Sequence, residues 1–248
     1  MAKQYIFGSG SVWAANNIAN PTPVRFGTSQ NISLDFSANS KPLFGQNQLP
    51  VSVARGAVSV SGKITFAEIV GRIINELFFG GSNASGQIAV IDNESGSIPG
   101  TPYQITVANG ATFNTDLGVI DATTGVPYVR VSSSPATGQY SVNTTTGVYT
   151  FASADTTKTV KISYSYGVTG SGEKLTINNV AMGQAATFKT VMNFPYAGKK
   201  ASFTLNACVA SKFSFASQLE DFMKPQFDFD AFTDGSDTLG VISVADVS

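Results

Sequence analysis

Histidine is absent from the 248 residues, and cysteine occurs once, as Cys208. Without an imidazole there is no Ser-His-Asp triad, no Cys-His dyad and no histidine zinc site. One cysteine forms no intramolecular disulfide and supplies no multi-cysteine zinc or iron–sulfur site within a chain. Charge is scarce too: 12% of residues are charged, about half the usual ~25%. The formal net charge of −1 gives no overall basic character for stable nucleic-acid binding. No stretch approaches roughly 18 consecutive apolar residues, so no membrane-spanning helix is expected. The opening "MAKQYIFGSGSVWAANN" lacks the continuous apolar core of a secretory signal. Synthesis in the cytoplasm is therefore the expectation. The Asn-x-Ser/Thr triplets at Asn31, Asn83, Asn93 and Asn143 then carry no glycosylation meaning.

What is present is apolar or small. Hydrophobic residues make up 42%, with 18 Phe, 8 Tyr and 24 Gly, which argues against disorder. The length allows an ample core, in one large domain or two modest ones. Soluble monomers keep apart through interspersed charge, so this surface suits one mostly covered by neighbours. The few charges are segregated. Ala216–Ser248 holds seven acids (Glu220, Asp221, Asp228, Asp230, Asp234, Asp237, Asp246) and one base, Lys224. Residues 173–215 hold five lysines and one acid. Such segments point to electrostatic matching within or between chains, or to plain solvated faces.

The apolar pattern has period two almost throughout. In "SFTLNACVASKFSF", Phe203, Leu205, Ala207, Val209, Phe213 and Phe215 share one face, with Cys208 on the mixed face as a small filler. "TFKTVMNF" precedes it across the turn "PYAGKK", which predicts a long hairpin. Farther upstream, Val51 and Val53 are odd-numbered while Val58, Val60 and Ile64 are even. One extra residue near Arg55-Gly56 restores the register, so 49–64 reads as one bent strand carrying a β-bulge. Before it stands "KPLFGQNQLP", Lys41–Pro50, read as a loop too long for a simple turn and carrying Leu43, Phe44 and Leu49.

One segment is helical in period. Phe66, Ile69, Val70, Ile73, Ile74 and Leu77 predict a helix over 66–79, with Thr65 and Glu68 as a capping box and Gly80-Gly81 as the stop. From Gly86 to Gly170, short strands and dense turn signals alternate near every ten residues, between "GGSNASG" and "GVTGSGE". This predicts a small inserted β-sandwich.

Motifs that carry chemistry are weak. Gly8 and Gly10 in "FGSGSVW" lack the third glycine of a dinucleotide fingerprint, and "GAVSVSGKI" has neither the spacing nor the hydroxyl of a phosphate loop. Asp228, Asp230, Asp234 and Asp237 do not follow calcium-loop spacing. Phe227 and Phe229 alternate with Asp228 and Asp230, so a strand with a buried aromatic face and a wet acidic face is the simpler reading. No catalytic, metal or cofactor-binding residue is expected, and nothing argues for an enzyme.

The segments "YIFGSGSVW", "LFGQNQLPVSVARGAVSVSGKITFAEI" with "LFFGG", and "PQFDFDAFTDGSDTLGVIS" resemble the major tail tube proteins of bacteriophages with long non-contractile tails. Within the insert, "GATFNTDLGV", "GQYSV", "GVYTFASAD" and "VKISYSY" are similar to phage tail proteins in order. The resemblance implies a mainly β fold, a tail-tube β-sandwich or barrel with one flanking α-helix. It implies core parts at 1–85 and 171–248 around an inserted domain at 86–170. It also implies a virion protein of the tail, built from stacked homo-hexameric rings whose sheets join into one inner barrel. Tape measure, tail terminator and tail tip proteins would be its partners, and DNA would pass through without specific binding.

On that resemblance the 41–50 loop reaches the next ring through Lys41, Leu43, Phe44, Gln46, Gln48 and Leu49. The alternative is that its apolar residues pin the loop to its own core. Asp228 and Asp230 become candidate lumen or interface acids, since an acidic or neutral channel lets phosphate slide. The insert would project outward, which favours a sheathless tail.

Three rivals remain at this stage. One is a glycan-binding surface module using Tyr103, Tyr128, Tyr140 and Tyr149 of the insert. Another is a hydrolase pairing Glu220 or Asp221 with Asp228. The third is a secretion-system tube protein.

Overall fold

The computed structural model describes residues 5–81 and 83–244. Asp246, one of the seven acids, lies outside that range, as do Met1–Gln4 and Ser82. The protein is mainly β, with several antiparallel sheets and one helix of more than a single turn among the described residues. The chain divides into two compact units, one comprising Met1–Asn83 with Leu175–Ser248 and the other Ala84–Lys174.

In chain order the first unit begins with β1 (Ser11–Asn16), β2 (Val24–Arg25), β3 (Ser29–Phe44), β4 (Pro50–Phe66) and the helix α1 (Ile73–Phe79). The second unit holds β5 (Ala84–Ser97), β6 (Gln104–Thr106), β7 (Phe113–Asp121), β8 (Val129–Arg130), β9 (Gln139–Asn143), β10 (Val148–Phe151) and β11 (Thr159–Lys174). The first unit resumes with β12 (Thr187–Tyr196), β13 (Lys199–Ser214), β14 (Gln226–Phe232) and β15 (Gly240–Val244).

The first unit is one sheet ordered β2-β1-β12-β13-β14-β4-β3, with β15 added to β13. One face carries the core: Phe26, Ile64, Phe66, Phe188, Met192, Phe227 and Phe229 are buried together. The rings meet edge to face, Phe26 against Phe227 at 5.3 Å and Phe188 against Phe229 at 6.0 Å, the geometry that ring quadrupoles favour. Strands β12 and β13 form the hairpin expected from "PYAGKK". Ala197 and Gly198 at its turn both have positive φ, 48° and 77°, which matches the right-handed strand twist.

The expected single-face run along β13 breaks at two places. Register shifts fall between Leu205 and Cys208 and between Ala210 and Lys212. They turn Cys208 into the core, fully buried, where burial pushes its thiol up to about 12. Ala and Val on either side are small and apolar, so nothing in the pattern marked these bulges.

The helix also departs from expectation. Thr65 and Phe66 remain in β4, Thr65 standing between Gln226 and Asn31 in the ladder. The capping box does not form: Glu68 instead accepts from the Thr28 hydroxyl at 2.7 Å, and α1 has no side-chain cap. Ile64 and Phe66 are both fully buried, so continuing the strand's alternation outweighs a cap worth about 1 kcal/mol. The remaining turns are wound as a π-helix that buries Ile73, Ile74 and Leu77, and Gly80, at φ 67°, ends it as expected.

In the second unit, the sheets β5-β11-β7 and β6-β10-β9-β8 share one core. All pairings are antiparallel except β8 with β9.

Candidate assembly surface

Lys41–Phe44 is strand, not loop. Strands β3 and β4 form one long hairpin in which Lys41 stands opposite Ala54, Leu43 opposite Ser52 and Phe44 opposite Pro50. Only Gly45–Leu49, with Gln46, Gln48 and Leu49, makes the turn. The mixed Pro, Gly and Gln content disguised a ladder that main-chain hydrogen bonds complete. Nor is the apolar trio pinned to the core, because Leu43, Phe44 and Leu49 are exposed, Leu49 at 78%.

Strand β4 pairs with β14 only over Val60–Thr65. Among the described residues, the ladder beyond Val60 joins the hairpin to itself alone, as a two-stranded ribbon. Such a ribbon is marginal in water without a partner. Its faces differ in character. Phe36, Ala38, Ser40, Pro42 and Phe44 share one face with Val60, Val58, Arg55, Val53 and Pro50 opposite them. The register shift at Ala38/Ser40, the bulge expected near Arg55-Gly56, is what keeps Val53 on the same face as Val58. Gly56 needs no positive φ there. This apolar face extends the core face of the sheet, yet Phe36, Phe44, Val53 and Val58 are at least half exposed. The other face carries Ser37 hydrogen-bonded to Ser59 at 2.7 Å, with Asn39, Lys41 and the exposed Leu43 along β3.

Strand directions set the two ends of this sheet. Phe66, Gln226, Ser214 and Asn16 lie toward one end, and the ribbon turn and the β12–β13 turn toward the other. The first end carries exposed apolar groups of its own. The connection between β13 and β14 presents Leu219, 94% exposed, and Phe222, 85% exposed. Sequence reading missed both, although large apolar residues beside Glu220, Asp221 and Lys224 in a connection between strands were a usable signal.

Asp228 and Asp230 lie on the outer face of β14, opposite the buried Phe227 and Phe229. Asp228 stands between Lys63 of β4 and Lys212 of β13 and accepts from the Gln226 amide at 2.9 Å. Asp230 stands between Ser61 and Val209. Asp228 of the acidic segment and Lys212 of the basic one are thus cross-strand neighbours, with no ion pair between them among the described residues. Asp234 accepts from Ser236, Thr238 and the Asn206 amide, and the Ser236 bonds foremost lower its carboxyl to about 2. No hydrogen bond or ion pair joins Glu220 or Asp221 to Asp228; Asp221 pairs with Lys224 at 2.9 Å. Among the described residues, no group of three or more acidic or cysteine side chains is placed to hold a metal ion, and no helix is long and apolar enough to cross a membrane.

In the insert, Tyr128, Tyr140 and Tyr149 are core residues, not a stacking platform. Tyr140 and Tyr149 donate to the two oxygens of Asp116 at 2.7 and 2.8 Å, with Arg130 at 3.5 Å. Tyr103 is half-buried beside Thr101. The sequence matches no protein-family model and no curated protein.

Proposed function

We propose that this chain is the subunit of a phage tail tube of the long non-contractile kind, assembling as stacked rings that deliver DNA. One observation carries the reading: one sheet bears an apolar ribbon toward one end and the exposed Leu219 and Phe222 at the other. Two different surfaces at opposite ends make a head-to-tail contact, and such contacts propagate into open stacks rather than closed dimers. The low charge fits a surface covered by neighbours, and the sequence resemblance supplies the hexameric ring and the β-sandwich or barrel architecture. Lys63, Lys212, Asp228 and Asp230 balance in charge on the sheet's polar face, which suits a wall past which phosphate slides. Tape measure, terminator and tip proteins are the partners in this reading, and the virion tail is the location. Glycan binding loses support, because three of its four tyrosines are buried.

The test is assembly. The purified chain is expected to form rings or hollow tubes of uniform diameter in native mass spectrometry and negative-stain electron microscopy. Removing residues 41–50 should stop stacking. A monomer that persists at high concentration with tail-tip complexes added as nuclei overturns the reading.

A further inference from the structure

The two ends of the first unit's sheet differ in charge. Toward the ribbon end, residues 36–60 and 190–203 hold Lys41, Arg55, Lys199 and Lys200 and no acid. At the other end, the connection between β13 and β14 holds Glu220 and Asp221, and Glu68 follows the end of β4. Asp221 is neutralised by Lys224 at 2.9 Å, whereas Glu220 has no ion-pair partner among the described residues. We infer that the Leu219-Glu220 turn of one copy seats on the β12–β13 hairpin end of the next, with Glu220 against Lys200 and Leu219 on the aromatic rings beside it. This inference rests on the tube reading and names the contact that gives the stack its direction.

The turn is built as a knob. Gln218 and Asp221 bridge across it, the Phe222 N–H donates to the Asp221 carboxylate at 2.8 Å, and Lys224 braces the same carboxylate. Leu219 and Glu220 are left exposed at its tip. A turn already closed in this way loses little conformational freedom on docking.

The receiving end matches it in kind. The exposed rings of Phe7 and Tyr196 lie 6.0 Å apart. Lys200, exposed and opposite Pro195, stands beside them without an ion-pair partner among the described residues. A leucine set on two rings removes apolar surface from water on both sides, and complementary charges at the rim fix the register.

Geometry then requires two copies. Strand β13 alone, 16 residues from Lys199 to Ser214, separates hairpin end from knob by about 50 Å at ~3.3 Å per residue. A head-to-tail neighbour brings the two together. Two ribbon ends set face to face would oppose cations with cations, which disfavours the reversed contact.

Charge exchange in the full chain tests this. Glu220→Lys and Lys200→Glu should each raise the concentration needed for tube assembly about tenfold, and the double variant should return it to within about threefold of the unmodified chain. Single variants that assemble as readily as the unmodified chain, or a double variant no better than either single, overturn the docking and leave the tube reading standing. Leu219→Ser, which alters no charge, should raise the same concentration, and an unchanged value overturns the proposal. Failure of the unmodified chain to form tubes with tail-tip complexes added overturns both readings.

Discussion

The ring of Phe229 lies against the backbone of Gly62 on the neighbouring strand: a Cβ on Gly62 would stand within 2.7 Å of three ring atoms. Their positions are paired in the β4–β14 ladder, and Phe229 also packs on Phe188 and Phe227. The glycine thus lets an aromatic side chain fill the core directly over a strand. Gly62→Ala is expected to destabilise the first unit by about 1–3 kcal/mol through overpacking. Denaturant melts followed at a core probe would show it, and a wild-type midpoint would rule the packing account out.

Opposite faces of the ribbon should respond differently to charge. Val53 lies on the apolar face opposite Pro42, and Ser52 on the other opposite Leu43. Val53→Asp should leave stability within about 0.5 kcal/mol, as for exposed sites, while abolishing tube formation. Ser52→Asp should assemble. Equal effects in a sedimentation assay would show that the apolar face is not the contact.

In the insert, the Asp116 carboxylate is nearly fully buried and accepts from both Tyr140 and Tyr149. Asp116→Ala strands two hydroxyls, each costing about 1–3 kcal/mol when buried and unpaired. A loss of about 2–5 kcal/mol should appear as faster hydrogen exchange across 84–174 with little change in the rest of the chain.

Burial, reinforced by the Asp116 carboxylate, raises Tyr140 and Tyr149 well above the ordinary tyrosine range. Both phenols keep their protons in the folded state while the unfolded chain loses them near ~10. The unfolded state then binds fewer protons, so stability is intact below that pH and falls as pH rises further. Spectrophotometric titration should find these two tyrosines ionising only as the insert unfolds. Early, reversible ionisation of all eight would refute the burial argument.

Cys208, whose thiol burial raises to about 12, should resist thiol reagents in the native protein at neutral pH and react once it is denatured. Prompt native labelling would contradict its place in the core.

Much of this molecule follows from one-dimensional pattern. Alternation alone marks the β12–β13 hairpin and the aromatic face of β14, and the parity switch between Val53 and Val58 marks the bulge, because side-chain period in a strand is fixed by backbone geometry. The Gly/Ser-rich flanks mark the insert for the same local reason: turns need particular residues.

What the pattern leaves undetermined depends on partners distant in sequence. Thr65 and Glu68 satisfy a helix cap on paper, and only the neighbouring strands carrying Asn31 and Gln226 hold Thr65 in a ladder instead. The β13 bulges hide among small apolar residues that fit either face. The extent of the 41–50 strand pairing, the standing of Asp228 beside Lys212, and the placing of the ribbon turn and the Leu219 turn toward opposite ends are set by register across the sheet. Local sequence determines which face of a strand is apolar; only the pairing of strands decides where along the molecule that face ends and what lies at the other end.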